Sequence, residues 1–461
     1  MLGLEEATQA LTIIWGNSNS VSSMRPALAR DSALLLPARE RAPTRPNAII
    51  AAIVLLLIYQ GYNLSLAGVA APWIATSFSL NEPELARLFA WMSVSAFGSL
   101  LLARLSDRVG RRRIILLSLL LSPPLSLGAA LSTRPAWFAA CVILISALLG
   151  GSVSSAIVVL AEELPTKRRA VGQAFAALAS ALGGVLAYIV IPFLLGWGYS
   201  WRWLLGPCVA GICLVVPVAR MLPPESRWSH AAAGMVATSR FYNIFHPLYR
   251  RRSLTLLGCA ALDTMAGTAV NGWLYFNTVS ILGLSPRIAS GLIVGGMFTG
   301  MLGFPVGAWI SDRFGRVPAV AYVGGAAWLG ALAFYWGPPA GISWPLTWLA
   351  VGYGWFKIAS GIMTVGANAA ATELFPADLR TTMIGWQMIT AAIFSMLAQV
   401  VIAATIGPLG GLTVVIRYFA LLGFFSAALF RAFIDETCGL PLEVAAKEEQ
   451  WAESHSHSGG M

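Results

Sequence analysis

Charge is what this sequence has least of. Asp, Glu, Lys and Arg make up 11% of its 461 residues, where soluble domains carry about a quarter. That scarcity excludes an ordinary water-soluble fold. Short strands alternating polar with apolar residues are also missing, which excludes a transmembrane barrel. Histidine is confined to His230, His246, His455 and His457, outside the long apolar stretches. No paired carboxylates or nucleophile motif lies within those stretches, so an enzymatic reaction has no groups to run on. Nothing matches the G-x-x-x-x-G-K-[ST] phosphate loop, so ATP has no site. The five cysteines form neither a metal spacing nor a disulfide framework. Cys141, Cys208, Cys213 and Cys259 read as small buried residues of apolar stretches, and Cys438 lies near the C-terminus. The two histidines of the last stretch, His455 and His457, are too few for a metal site. No cofactor and no metal are expected.

What is present is apolar length. Hydrophobic residues reach 57% and come in blocks of roughly 20 residues or more, enough to cross a hydrocarbon core of about 30 Å as helices. Lipid offers no hydrogen-bond partners to a backbone, so blocks of that length fold as helices. Twelve spans are expected: 48–70, 86–104, 114–132, 136–160, 170–196, 203–221, 254–282, 288–310, 317–336, 344–370, 381–406 and 412–433. The fold class is an all-α polytopic membrane protein. Residues 1–47 read as a disordered tail. They carry five arginines between Arg25 and Arg45 but no apolar core ending at a small-residue cleavage site, so they are not a signal peptide. Anionic lipid is a weaker alternative role for those arginines.

The formal net charge of +10 suggests nucleic acid until the charges are placed. Arg87, Arg134, Arg202, Arg287 and Arg417 fall on the side away from the N-terminus, and Lys357 falls inside a span. All the other Lys and Arg lie on the N-terminal side. Such a bias marks the cytoplasmic face, so both termini are expected in the cytoplasm and no nucleic-acid partner is.

The charges that do occur are patterned. Ala103-Arg104-Leu105-Ser106-Asp107-Arg108-Val109-Gly110-Arg111-Arg112-Arg113 recurs as Ala308-Trp309-Ile310-Ser311-Asp312-Arg313-Phe314-Gly315-Arg316, with the aspartates 205 positions apart. Glu162-Glu163-Leu164-Pro165 with Arg169 recurs as Glu373-Leu374-Phe375-Pro376 with Arg380, 211 positions apart. The chain is two similar halves, expected at 48–221 and 254–434. They are joined by a cytoplasmic linker at 222–253, with a short surface helix near 238–248, and followed by a tail at 435–461.

D-R-x-G-R between spans two and three, and again between eight and nine, resembles the signature of the major facilitator superfamily. The E-x-x-P-x-x-x-R repeats and Pro224-Glu225-Ser226-x-Trp228 are similar to its sugar-porter and organic-ion branches. The resemblance covers about residues 48–434 and implies two pseudo-symmetric six-helix bundles. One departure stands out: Ala103 and Ala308 replace the family's usual glycine, and alanine still permits close helix packing.

Transporters built from repeats bind solute near the midplane and rock around it. Such motion needs contacts that hold one face shut and then break. Asp107, Arg108, Arg111, Arg112, Glu162 and Arg169 form one candidate cytoplasmic gate set. Asp312, Arg313, Arg316, Glu373 and Arg380 form its twin, with Gly110 and Gly315 providing the tight turns. The competing reading is that these charges only orient the protein in the membrane.

The resemblance implies that spans 1, 4, 7 and 10 line a central cavity. In span 1, Tyr59-Gln60-Gly61-Tyr62-Asn63 resembles the acidic D-G-x-D element of the aromatic-acid/proton symporter branch, with both acids replaced by amides that cannot titrate. Tyr59, Gln60 and Asn63 are candidate solute ligands, or amides bonding between helices. Span 4 offers Ser152, Ser154 and Ser155, equally suited to packing. Asp263 and Lys357 are the deepest charges, each about 14 Å or more along its helix, and intramembrane charges are functional by default. They form a plausible ion pair, which is structural, or makes Asp263 the proton-coupling acid, or frees Asp263 when Lys357 captures an anion. Asn271 and Gln387 are further solute candidates, with Trp273, Tyr275 and Gln399 weaker. Trp273 and Tyr275 are also candidate interface anchors, as are Trp201, Trp203 and Trp344.

The function expected is a secondary transporter in the plasma membrane, working as a monomer on a small organic solute by alternating access. An organic anion, a sugar and a cation remain open as solutes. So do proton coupling, uncoupled facilitation and a non-transporting sensor on the same scaffold.

Overall fold

A computed structural model describes residues 46–163, 166–222, 242–339, 343–447 and 450. The N-terminal tail, most of the linker and the last residues of the C-terminal tail lie outside the described residues. Asn47–Met461 forms one compact unit.

Among the described residues, eleven helices are long and apolar enough to cross a membrane. They are α1 (Asn47–Ser77), α2 (Glu82–Ser106), α3 (Arg111–Ala130), α4 (Pro135–Leu160), α5 (Phe175–Gly196), α6 (Trp201–Met221), α7 (Pro247–Ile281), α8 (Pro286–Phe314), α9 (Pro318–Trp336), α11 (Thr382–Leu409) and α12 (Leu412–Phe433). The twelfth span of the fold is α10 (Pro345–Glu373), 29 residues long. It is the helix that carries Lys357 and a run of threonines and glycines, which lowers its apolarity.

Backbone chemistry accounts for the irregular spans. Pro207 and Pro217 remove helix donors in α6, which begins as a 3-10 turn at Trp201–Leu205 and restarts at Gly211. The end of α7 loosens into a wide turn at Asn277–Ile281, and α9 opens with another at Pro318–Gly324. Gly110 and Gly315 join α2 to α3 and α8 to α9 with φ of 109° and 108°. A side chain is strained in that backbone region, so the repeated glycines serve the tight turns expected of them.

Without a hydrophobic force between helices in lipid, packing depends on close backbone approach. Along α8, Gly296, Gly300, Gly303 and Gly307 let α10 in so closely that a methyl at Gly303 would collide with the Ile358 carbonyl. The α1–α5 pair repeats the device, Gly61 meeting the Ser180 carbonyl and Gly183 the Ile58 carbonyl. The two halves meet chiefly along α2 with α11 and α5 with α8.

Two stretches expected to be loop or tail are folded. Helix α7 starts at Pro247, not near 254, and the arginine cluster forms its first turns. Arg252 Nη1 donates to the carbonyls of Leu374 at 3.2 Å and Ala445 at 2.8 Å, and the Tyr249 hydroxyl donates to Ala446 at 2.7 Å. Those carbonyls, left over at the end of a helix and in a turn, are what draw the cluster into order. Beyond α12 the chain therefore folds back on the second half, with Thr437, Ala445 and Ala446 buried. The described part of the expected surface helix is a 3-10 turn, Asn243–Phe245, with Ile244 buried.

Candidate functional site

The charged turns of the second half converge on one guanidinium. Arg316 Nη1 lies 2.9 Å from Asp312 Oδ1, and Nη2 lies 2.9 Å from Glu373 Oε1. Nη1 also donates to the Ser311 carbonyl at 2.6 Å. The Glu373 carboxylate holding this guanidinium raises its pKa above the ordinary arginine value, against the opposing effect of burial. Glu373 accepts in turn from the Thr437 hydroxyl. Glu436 receives the backbone N–H groups of Arg316 at 2.8 Å and Val317 at 2.9 Å, so it caps the start of α9. This position suits a carboxylate, because it satisfies orphan donors at the positive end of a helix. The assembly thus clasps the ends of α8, α9, α10 and α12 within one half, and among the described residues no contact of it reaches the other half. Arg380, on the same face, donates Nε to the Phe375 carbonyl at 2.9 Å, and Arg313 lies over the Trp309 and Phe314 rings.

Glu436 belongs to none of the motifs above, although the sequence carries a signal for it. Glu436-Thr437 stands 211 positions after Glu225-Ser226, the interval already seen between Glu162 and Glu373. In the first half, Arg112 Nη2 donates to the Ala219 carbonyl at 2.6 Å and Arg108 is exposed. Arg111 is partly buried. The side chains of Asp107, Glu162 and Arg169 lie outside the described set.

Span 1 places its polar groups inside the first half. The Tyr59 hydroxyl pairs with Ser122 Oγ at 2.9 Å and donates to the Cys208 carbonyl at 2.8 Å, tying α1 to α3 and α6. Gln60 Oε1 accepts from Ser180 of α5 at 3.2 Å, and Asn63 Nδ2 donates to the Tyr59 carbonyl at 2.8 Å. Asn63 borders a small cavity between α1, α4 and α6. Bonding between helices, the bland reading of these residues, describes Tyr59 and Gln60. The serines of α4 likewise bond carbonyls of their own helix.

Asp263 and Lys357 are not brought together: among the described residues no ion pair joins them. The cause is azimuthal. Helix α7 packs on α11 and α12, and α10 packs on α8 and α9, so the two side chains leave from different walls. Asp263 Oδ1 is buried without a hydrogen bond, beside Ser426 of α12. Lys357 lays its stem along Gly300 of α8, and among the described residues its ammonium makes no hydrogen bond or ion pair. Below it on the same face, Thr364, Asn368 and Thr372 are exposed as far as the clasp at Glu373. Lipid is a poor solvent for such a polar row, so this face of α10 borders water. On α7 the face of Asp263 continues through Gly267, with no atom within 4 Å of the place a side chain would take, to the exposed Asn271. Gln387 is half-buried on α11.

The opposite end is closed by aromatic rings. Trp273 packs on Phe89 of α2 at 5.2 Å between centroids, and Tyr275 on Tyr188 of α5 at 5.5 Å and Trp73 of α1 at 5.9 Å. Trp273 and Tyr275 are buried, so they seal the two halves together and are not interface anchors. Gln399 accepts from Trp273 Nε1 at 3.1 Å. Glu82, from the first half, accepts the Leu412 N–H at the start of α12 at 3.2 Å. Trp201 is no anchor either: it is buried and its Nε1 donates to Ser77 Oγ at 2.8 Å. Trp203 and Trp344 are exposed, as anchors should be.

The family model described as Major Facilitator Superfamily matches residues 52–399. The chain belongs to the Major Facilitator Superfamily. It is therefore a multi-pass secondary transporter and not an enzyme. The gentisate transporter of Corynebacterium glutamicum is 25% identical over 76% of this chain and 80% of its own length. The cis,cis-muconate transport protein of Acinetobacter baylyi is 27% identical over 72% and 80%, and the gallate transporter of Pseudomonas putida 26% over 74% and 81%. The inward open structure of the xylose transporter XylE from E. coli gives a TM-score of 0.67 at 16% identity, over 87% of this chain and 99% of that one. An inward-facing, unoccupied bacterial homolog of the human lysosomal transporter Spinster gives 0.66 at 15%, over 84% and 97%. At such identities the likeness is one of fold. The sensor reading gains no support from these relatives, which are named as transporters.

Rings packed at one end and a polar row exposed toward the other predict access from the side of the charged turns. Accessibility of cysteines checks this. In a background without native cysteines, Thr364→Cys and Asn368→Cys are expected to react with a membrane-impermeant thiol reagent applied from the charged-turn side. Trp273→Cys is expected to stay protected from both sides.

Proposed function

We propose that this transporter carries a small organic acid across the plasma membrane by alternating access, holding its carboxylate on Lys357. The observation that carries the proposal is an ammonium deep in a spanning helix, without a partner, at the inner end of a polar row. A cation in that place is costly unless something pairs with it, and a carboxylate supplies both the charge and the acceptors. The relatives named for gentisate, gallate and cis,cis-muconate support an acid over a sugar or an amine. In this reading Asn271 and Gln387 add polar contacts to the solute, while Tyr59, Gln60 and Asn63 contribute mainly by holding the first half together.

Asp263 is the coupling site in this proposal. A buried carboxyl oxygen with no hydrogen-bond partner leaves free energy that a proton would recover. The halves at about 48–221 and 254–434 rock about Lys357, with the charged turns on the cytoplasmic side and both termini there, and one chain suffices.

A thermal-shift screen of purified protein across aromatic acids, sugars and amines tests the solute class, with stabilisation by the acids alone as the expected result. Proteoliposome uptake tests the coupling. Asp263→Asn should keep acid binding and exchange but lose accumulation driven by a proton gradient. Stabilisation by amines only, or full accumulation in Asp263→Asn, contradicts the respective part.

A further inference from the structure

Five arginines lie on the side that membrane proteins usually keep poor in positive charge, and the structure divides them by what they do. Arg202 Nη1 donates to the carbonyls of Ala130 and Ser132, each at 2.7 Å, and lies over the Phe78 and Trp201 rings. Arg417 donates to the Tyr335 carbonyl at 2.9 and 3.1 Å and lies over Trp336. Arg287 reaches Gly196 at the end of α5, where a helix presents its negative pole. Arg202 and Arg417 serve the fold, and Arg287 sits by a helix end. Arg87 and Arg134 are exposed, and among the described residues neither side chain makes a hydrogen bond or ion pair.

Arg87 lines one groove, and Arg134 precedes another of its lining residues, Pro135. Between the head of α2 and the start of α4 lies a cavity of about 480 Å³, its wall made of Leu88, Trp91, Ala139, Ala140 and Ile143. Glu84, Arg87 and Pro135 complete the lining at the helix-start end of the groove, where the mouth is expected. From Pro135 to Ile143 the helix advances roughly 12 Å, so the apolar wall runs from the membrane surface well into the hydrocarbon. Trp91 and Trp137 are 68% and 61% exposed, the placement of tryptophan at an interface.

The acids at the head of α2 are already committed. Glu84 Oε2 accepts the Asn81 N–H at 2.9 Å while Asn81 returns the bond to the Glu84 N–H at 2.9 Å, a reciprocal cap. Glu82 is held by α12 across the interface between the halves. The Glu84 carboxylate keeps its charge beside Arg87, so Arg87 and Arg134 together leave the mouth with a net positive charge of one.

We infer that this groove binds an anionic phospholipid of the leaflet on the side away from the charged turns, its phosphate on Arg87 and Arg134 and one acyl chain along α4. The groove's depth calls for an acyl chain and its mouth for an anion. A phosphodiester lipid carries both, and it is the solvent this surface already faces.

Native mass spectrometry of the full-length transporter with phosphatidylglycerol or phosphatidylcholine tests it. The wild type should retain phosphatidylglycerol in preference to phosphatidylcholine. The paired change Arg87→Ala with Arg134→Ala should weaken that retention about tenfold or more. Ala140→Trp, which fills the groove and keeps both arginines, should weaken it as well. Millimolar inorganic phosphate should not displace the lipid. Unchanged retention in the paired variant, equal retention of the zwitterionic lipid, or no effect of Ala140→Trp overturns the inference. So does displacement by phosphate, which would make the site one for free anion.

Discussion

Lys357→Met is expected to weaken binding of an organic acid by about 10- to 100-fold and to reduce its uptake at limiting concentration in proportion. The range is that of a charge-assisted hydrogen bond, about 1.5–3 kcal/mol, at about 1.4 kcal/mol for each tenfold. Packing does not compete with this effect, because methionine keeps the unbranched stem that lies along Gly300. Folding should therefore survive and even gain, since a lone charge is removed from an apolar setting. A higher unfolding midpoint together with lost binding is the signature of a cation kept for a ligand. Lys357→Arg offers charge in a planar fork and should recover only part of the affinity. Initial uptake rates and detergent melting curves on the same three proteins check both limbs.

Arg316→Ala should have the next largest effect, on movement and stability more than on binding. The change strands Glu373, whose side chain is 20% exposed, whereas Asp312 is 75% exposed. An exposed pair is worth about 1 kcal/mol or less, so Asp312→Ala should cost little. A shielded, charge-assisted pair is worth about 2 kcal/mol, and the same loss is expected from Glu373→Ala. The two single changes should not add, because each removes the same contact. If the clasp must be intact for the charged-turn face to close, uptake in Arg316→Ala falls about tenfold while the solute Kd moves far less. A double-mutant cycle read by thermal midpoint and by uptake separates this from a purely structural role, which would move the midpoint alone.

How much of this was legible in the sequence follows from what each residue type reports. The repeated motifs carry axial information, and they were legible. Asp312, Arg316 and Glu373, separated along the chain, do meet at 2.9 Å. Their closing on one another inside a single half was not legible, because a motif says which level of the membrane a residue occupies and not which neighbour it faces. The same limit separated Asp263 from Lys357. Both depths follow from position in the span, but neither partner does, because polar residues on the same face, Thr364 and Asn368 on α10 or Asn271 on α7, mark a face without saying which helix it meets. Trp273, Tyr275 and Trp201 were open to reading as anchors for a related reason. An aromatic near a span end looks the same in sequence whether it meets headgroups or another helix. Arg250, Arg251 and Arg252 looked like loop because they are charged, and they are helical because carbonyls at the end of α10 and in the C-terminal segment take up Arg252.

Calorimetric titration of an aromatic carboxylate into the purified wild type and into Lys357→Met tests the central claim most directly. A carboxylate held by the Lys357 ammonium requires saturable binding to the wild type and a Kd raised at least tenfold in the variant. Equal affinity for both proteins would place the solute elsewhere and contradict the account.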